Sequence, residues 1–170
     1  MLIRRETPSD HQAVFGVHNA AFATADGTSA HEATLVEDLR AAGDIIAPLS
    51  LVAELDGHVV GHVLGSLAHI DNRPSVGLAP LGVLPGEQNK GVGSALMHAV
   101  LAAADALNLP EAVLLGDAAY YRRFGFRPAQ QLGISPPDPE WGQHFQIRTL
   151  ANFSAERTGP FHYAPAFGLV

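Results

Sequence analysis

A mixed α/β fold is the class this sequence predicts, and three observations carry it. Apolar residues recur at helical spacing in some segments and alternate in others, in the order β-α-α-β-β-β-α-β-α-β. A chain of 170 residues, 47 % of them apolar, can bury a substantial core. No repeat, linker or shift in composition divides it, so residues 1–170 are expected to form one domain.

Each element has its own signal. Residues 2–6 read as a short first strand, ended by Thr7-Pro8. Thr7 or Ser9 can cap a helix to residue 22, with Val14, Val17, His18 and Ala21 on one side. Residues 23–29 are small and polar and read as a loop; a second helix then runs to Ala42, where Gly43 stops it. Residues 50–55 and 58–69 are β-rich and are joined by Asp56-Gly57, a strong hairpin signal. Asp71-Asn72-Arg73-Pro74 is a second turn before a strand at 76–84, so three consecutive antiparallel strands are expected. Val92, Leu96, Ala99, Val100, Ala103 and Leu107 share one face of a helix that Asn108-Leu109-Pro110 ends. Beyond it, 112–115 read as a strand, 118–123 as a short helix and 126–132 as a strand. Residues 135–140 are a proline-rich loop, 145–150 a strand, and the aromatic tail from Gly159 is expected to close an edge.

Composition narrows the function. The formal charge is −7 with no Lys/Arg cluster, so nucleic acid is not an expected partner. The absence of cysteine removes disulfides, thiolate metal sites and a Cys nucleophile. Met1 to Glu6 lacks the apolar stretch of a signal peptide, and no run is long enough to span a bilayer. A cytoplasmic protein that does not bind membranes is expected.

Gln88-Asn89-Lys90-Gly91-Val92-Gly93-Ser94 lies between an apolar strand and a long helix. Its glycines allow close backbone approach, and a helix start leaves N–H groups unpaired, which suits a phosphate or diphosphate. A Walker A loop is excluded because Lys90 precedes its glycine, and a dinucleotide fingerprint because Leu96 stands where a third small residue belongs. The same residues would also serve as a plain tight turn.

The pattern Gln88-x-x-Gly91-x-Gly93 resembles the acetyl-CoA diphosphate loop of the GNAT N-acetyltransferases, and the element order is similar to that fold. A second match is Tyr121, four residues before Gly125-Phe126 and just after the fifth strand. The resemblance covers residues 2–130; Glu32-x-x-Leu35-Val36-x-x-Leu39-Arg40, Phe124-Gly125-Phe126 and the aromatic tail resemble a predicted-acetyltransferase branch of unassigned substrate. It implies a mostly antiparallel mixed sheet, flanked by helices and splayed between its fourth and fifth strands. It further implies that Leu81, Gly82 and Val83 contact the pantetheine arm, with the Val83 N–H polarising the acetyl carbonyl. Residues Gln88 to Ser94 would grip the diphosphate, and Tyr121 would donate to the departing sulfur. For Gly82 the alternative is a β-bulge with no ligand, and for Tyr121 an aromatic packed beneath a helix.

Glu32 shares the apolar face of its helix with Leu35, Val36 and Leu39, so it is a candidate to bind a cationic amine or take its proton. Ser29-x-x-Glu32 is equally a capping box. His58 and His62 share a strand face about 13 Å apart, too far for one zinc, and no metal is expected. His31 and His69 could border an acceptor groove, though each reads first as a surface or core residue, and His98 reads as exposed. The implied reaction is direct acetyl transfer from acetyl-CoA to a small-molecule or peptide amine. The alternatives are a non-catalytic acyl-CoA-binding module and a transferase for another acyl-CoA. Phe161, Tyr163 and Phe167 are candidates either for a homodimer interface or for covering their own sheet.

Overall fold

In the computed structural model, residues 1–23 and 28–168 are described; most of the expected loop at 23–29 lies outside them. The strands are β1 (Leu2–Arg5), β2 (Ile45–Leu55), β3 (His58–Ile70), β4 (Arg73–Val83), β5 (Glu111–Leu115), β6 (Arg127–Pro128), β7 (Ile134–Ser135), β8 (Phe145–Thr149) and β9 (Gly159–Tyr163). The α-helices are α1 (His11–Ala21), α2 (His31–Ala42), α3 (Val92–Ala106) and α4 (Ala118–Tyr121). The main sheet runs β1-β2-β3-β4-β5-β8-β6. Its neighbours are antiparallel except β4 and β5, which are parallel, so the expected mixed sheet is present.

Local chemistry explains the meander. Asp56 and Gly57 both have positive φ, 51° and 80°, as a two-residue hairpin turn requires. Ahead of α1, the Thr7 N–H and hydroxyl both donate to Asp10 Oδ2, at 2.8 and 2.7 Å, and Arg4 clamps the same carboxylate. Gly43 ends α2 at φ 76°.

Two segments differ from the sequence reading. β2 begins at Ile45, because Pro48 and a register shift between Ile45 and Ser50 obscure the alternation there. Residues 126–132 do not form a full strand. Only Arg127 and Pro128 pair with β8, and the chain then closes into a 3₁₀ turn, Ala129–Leu132, ended by left-handed Gly133. Pro128 has no N–H to extend the ladder.

The sheet is covered on both faces. Leu96, Met97 and Val100 of α3 pack with Leu51, Val63 and Leu78, while Val14 of α1 and Val36 and Leu39 of α2 pack with Val52 and Leu64. Each such buried side chain contributes roughly 1.5–3 kcal/mol. The tail does close an edge: β9 pairs with residues Ala68 to Ile70 of β3, and Phe161 is buried with Phe145 and Ile147. Among the described residues no helix is long and apolar enough to cross a membrane.

Candidate active site

β4 and β5 meet at one register pair, Gly77 opposite Val113, and part beyond it. Their joined end is tied by charge. Ser75 Oγ donates to Glu111 Oε1 at 2.7 Å, and Arg157 donates to both Glu111 oxygens at 2.7 and 2.8 Å. On the parting side β4 is bulged: Val63 faces Leu81 and Gly65 faces Leu78, so β4 spends three steps where β3 spends two. The Ala79–Pro80 peptide there is cis. The Leu84 N–H donates to Val60 O at 2.9 Å. Antiparallel alternation therefore turns the Leu81 and Val83 amides away from β3, towards the fork.

A cavity of about 720 Å³ fills the fork, with Leu78, Pro80 and Leu81 on one wall and Leu115, Gly116 and Tyr121 on the other. Of the sequence-predicted residues, Leu81, Tyr121 and Glu32 line this cavity, as do His31, Tyr163 and Phe167, whereas Gly82 and Val83 are not among its described lining. Gln88 to Ser94 stand outside it, at the head of α3, where a side chain on Gly93 would sit 2.9 Å from the Tyr120 hydroxyl, itself on the cavity wall.

That head is built for backbone donors. Gly91 caps α3 at φ 89° with no side-chain cap bond, and Asn89 has φ 61°. The first amides, Val92, Gly93 and Ser94, consequently point out of the helix end. Gln88 Nε2 donates to Val83 O at 3.1 Å, fixing the loop to the end of β4. The Lys90 ammonium turns back to Glu87, 3.3 Å away.

Tyr121 ends α4. Asp117 caps that short helix by accepting from the Ala119 N–H at 2.8 Å, and left-handed Gly125 closes the following 3₁₀ turn. The Tyr121 ring packs edge-on against Tyr120 and Phe126, and burial pushes its phenol up to about 12. Among the described residues no hydrogen bond engages its hydroxyl.

The far end of the cavity mixes acid and aromatic groups. His31, Glu32 and Leu35 come from α2, Phe22 from the end of α1, Trp141 from the stretch before β8, and Tyr163 and Phe167 from the tail. The Ser29–Glu32 capping box does not form. Ala30 is the N-cap of α2, and its N–H goes to Asn19 Oδ1 at 2.9 Å. His69 and His98 are exposed and do not line the cavity. Among the described residues no group of metal-binding side chains occurs.

Behind β4 lies a buried polar chain that the sequence did not reveal. His18 Nε2 is 2.8 Å from His62 Nδ1, and His62 Nε2 is 3.0 Å from Ser50 Oγ. Ser50 Oγ donates to Glu6 Oε2, and Glu6 Oε1 is 2.6 Å from Arg40. Both histidines are fully buried, and desolvation lowers both, His18 to about 3. The His62, Ser50 and Arg40 contacts outweigh desolvation at Glu6 and hold it at about 2.

Comparison with known proteins fits this geometry. Residues 48–128 match the acetyltransferase (GNAT) domain model. An uncharacterised N-acetyltransferase of Escherichia coli, YhbS, is 34 % identical over 155 residues, 89 % of each chain. The chain belongs to the GNAT N-acetyltransferase family. A second E. coli relative, the uncharacterised N-acetyltransferase YjhQ, is 35 % identical over 130 residues, 74 % of this chain and 72 % of the relative. The crystal structure of E. coli YhbS in complex with CoA superposes with a TM-score of 0.90 at 32 % identity, covering 98 % of this chain and 91 % of that one. A GNAT acetyltransferase from Brucella melitensis in complex with acetyl-CoA gives 0.79 at 34 % identity, covering 98 % and 97 %.

Within this GNAT frame, sequence reasoning missed Phe22, Trp141 and the His18–His62 pair, and left the place of Tyr163 and Phe167 open. Position 18 carried the one usable signal, a histidine on the apolar face of α1.

Proposed function

We propose that this chain transfers an acetyl group from acetyl-CoA to a primary amine by direct attack, without a covalent enzyme intermediate. The observation that carries the reading is the parted β4–β5 seam, with a helix head that lacks a side-chain cap beyond one wall and the Tyr121 phenol on the other. The residues present fit the cofactor: the left-handed Gly91 cap leaves backbone N–H groups free for a diphosphate, and the Leu81 and Val83 amides face the fork. Acetyl-CoA supplies an acetyl group already activated as a thioester.

The chain's own residues divide the remaining work. The Gln88 to Ser94 backbone holds the diphosphate, and the Val83 N–H polarises the acetyl oxygen. At about 12 the Tyr121 phenol stays protonated, and full transfer to a thiolate near ~8.5 is uphill by roughly 5 kcal/mol. Tyr121 therefore stabilises the departing sulfur by donating a hydrogen bond. Glu32 anchors the ammonium form of the acceptor, and Phe22, Trp141, Tyr163 and Phe167 suit a cation with an apolar body. Neither lysine nor arginine occurs among the described lining residues, which favours a cationic acceptor.

A panel of primary amines and acyl-CoAs of rising chain length, assayed for free thiol, tests the reading. Acetyl-CoA is expected to be consumed with at least one amine, and Glu32→Gln should raise the amine KM about tenfold while leaving the acetyl-CoA KM unchanged. Binding of acetyl-CoA without turnover on any amine would instead support a non-catalytic module.

A further inference from the structure

Cations are scarce in this acidic chain. Of its ten Lys and Arg residues, Arg4, Arg40, Lys90 and Arg157 pair with carboxylates. Arg122, Arg123 and Arg127 are exposed within one short stretch, and none has a carboxylate partner among the described residues. Arg123 differs from the other two in being held. Its Nε donates to Tyr120 O at 3.0 Å, and its guanidinium lies over the Tyr120 ring, 4.9 Å from the centroid. Neither Arg122 nor Arg127 stacks on a ring or makes a side-chain hydrogen bond among the described residues. A stacked, planar guanidinium keeps its terminal N–H groups free and loses little freedom on binding an anion.

Tyr120 in turn touches the head of α3, where a side chain on Gly93 would sit 2.9 Å from its hydroxyl. His98, farther along α3, packs edge-on against Phe124 at 5.2 Å. These two contacts lay the stretch from Tyr120 to Phe124 alongside the first two turns of α3. The bond to Tyr120 O turns the Arg123 guanidinium back along that stretch, to the end where Gly93 lies. The loop before α3 has no free cation of its own, because Lys90 is drawn to Glu87, 3.3 Å away.

We propose that Arg123, stacked on Tyr120, binds the 3′-phosphate on the ribose of CoA, so that the chain selects CoA over its dephospho form. The proposal rests on the acetyl-CoA reading above and names a second anion site for the same cofactor. In CoA one ribose separates the 3′-phosphate from the diphosphate, and here one tyrosine ring separates the guanidinium from the head of α3. The two anions also differ in what they need. Backbone N–H groups and the helix dipole suit a diphosphate, whereas a phosphomonoester carries close to two charges on one phosphorus. A guanidinium answers that density by donating to two of its oxygens in parallel. Tyr120 thus has two tasks: its hydroxyl edge abuts Gly93, and its face holds the arginine in place. A stacking contact with a purely structural role would be indifferent to the 3′-phosphate.

Calorimetric titration with CoA and with 3′-dephospho-CoA, which keeps the diphosphate and the pantetheine arm, tests the site. The wild type is expected to bind CoA about 20-fold more tightly, by a ratio that shrinks as salt is raised. Arg123→Gln should bring that ratio below about threefold by weakening CoA alone, with dephospho-CoA held within about twofold of wild type. Arg123→Lys keeps the charge but loses the planar fork, and should give an intermediate ratio. Arg127→Gln removes the same charge from the same exposed stretch and should leave the ratio at its wild-type value. Equal wild-type affinity for the two compounds, or equal weakening of both by Arg123→Gln, would overturn the site. So would equal losses in Arg123→Gln and Arg127→Gln, which would mean a diffuse positive field. A wild type that binds neither compound would remove the acetyl-CoA reading itself.

Discussion

The two ends of the β4–β5 seam are made of the same two strands and solve opposite problems. At the joined end, the fully buried Glu111 receives hydrogen bonds from Ser75 and Arg157, and the strands pair at Gly77 and Val113. At the parted end, β4 carries a bulge and a cis proline, and its inner amides face a cavity. An unpaired strand edge inside a protein is costly, so the joined end must hold the geometry that the open end exposes. Rigidity and vacancy are adjacent by necessity: a fork needs a crotch.

The largest expected effect strikes the joined end. Glu111→Gln strands the Arg157 guanidinium and should cost about 3–5 kcal/mol, measured by denaturant unfolding. A loss within experimental error would mean that the fork is held elsewhere. Next comes Tyr121→Phe at the open end, which should lower kcat about 100-fold, with acetyl-CoA affinity and thermal stability nearly unchanged. Unchanged turnover would reduce Tyr121 to a packing residue.

A more gradual effect follows from pH. His18 is held near 3 in the fold against an ordinary value of 6.5, so below pH 6.5 the unfolded chain takes up a proton that the fold refuses. Stability should therefore fall as pH drops from 6.5 towards 3, by about 1.4 kcal/mol per unit for that histidine, with His62 adding in the same direction. Glu6 moves from an ordinary 4.5 to about 2, so its contribution is present above 4.5 and disappears as pH falls through 2. Unfolding midpoints across this range check both, and a Tm flat between pH 6.5 and 4.5 would show that the histidines are not held neutral.

Legibility in the sequence followed the distance over which each feature is made. The hairpin at Asp56-Gly57, helix α3 and the loop at its head are local, and their residues announce them. The β2 start was hidden because Pro48 breaks the alternation, and 126–132 misled because apolar residues there pack without pairing. The His18–His62 contact spans 44 positions and the Glu111–Arg157 pair 46, and neither residue of either pair signals its partner. Glu32 was ambiguous between cap and groove because both uses need a carboxylate in the first turn; only the start of α2 at His31 removed the cap.

Calorimetric titration of the folded chain with acetyl-CoA, beside S-acetyl-pantetheine, which lacks the diphosphate, reaches the central claim most directly. Binding of acetyl-CoA with at least tenfold weaker binding of the truncated thioester is the predicted result. Equal affinity for the two, or no heat with acetyl-CoA, would contradict a diphosphate held by the backbone at the head of α3.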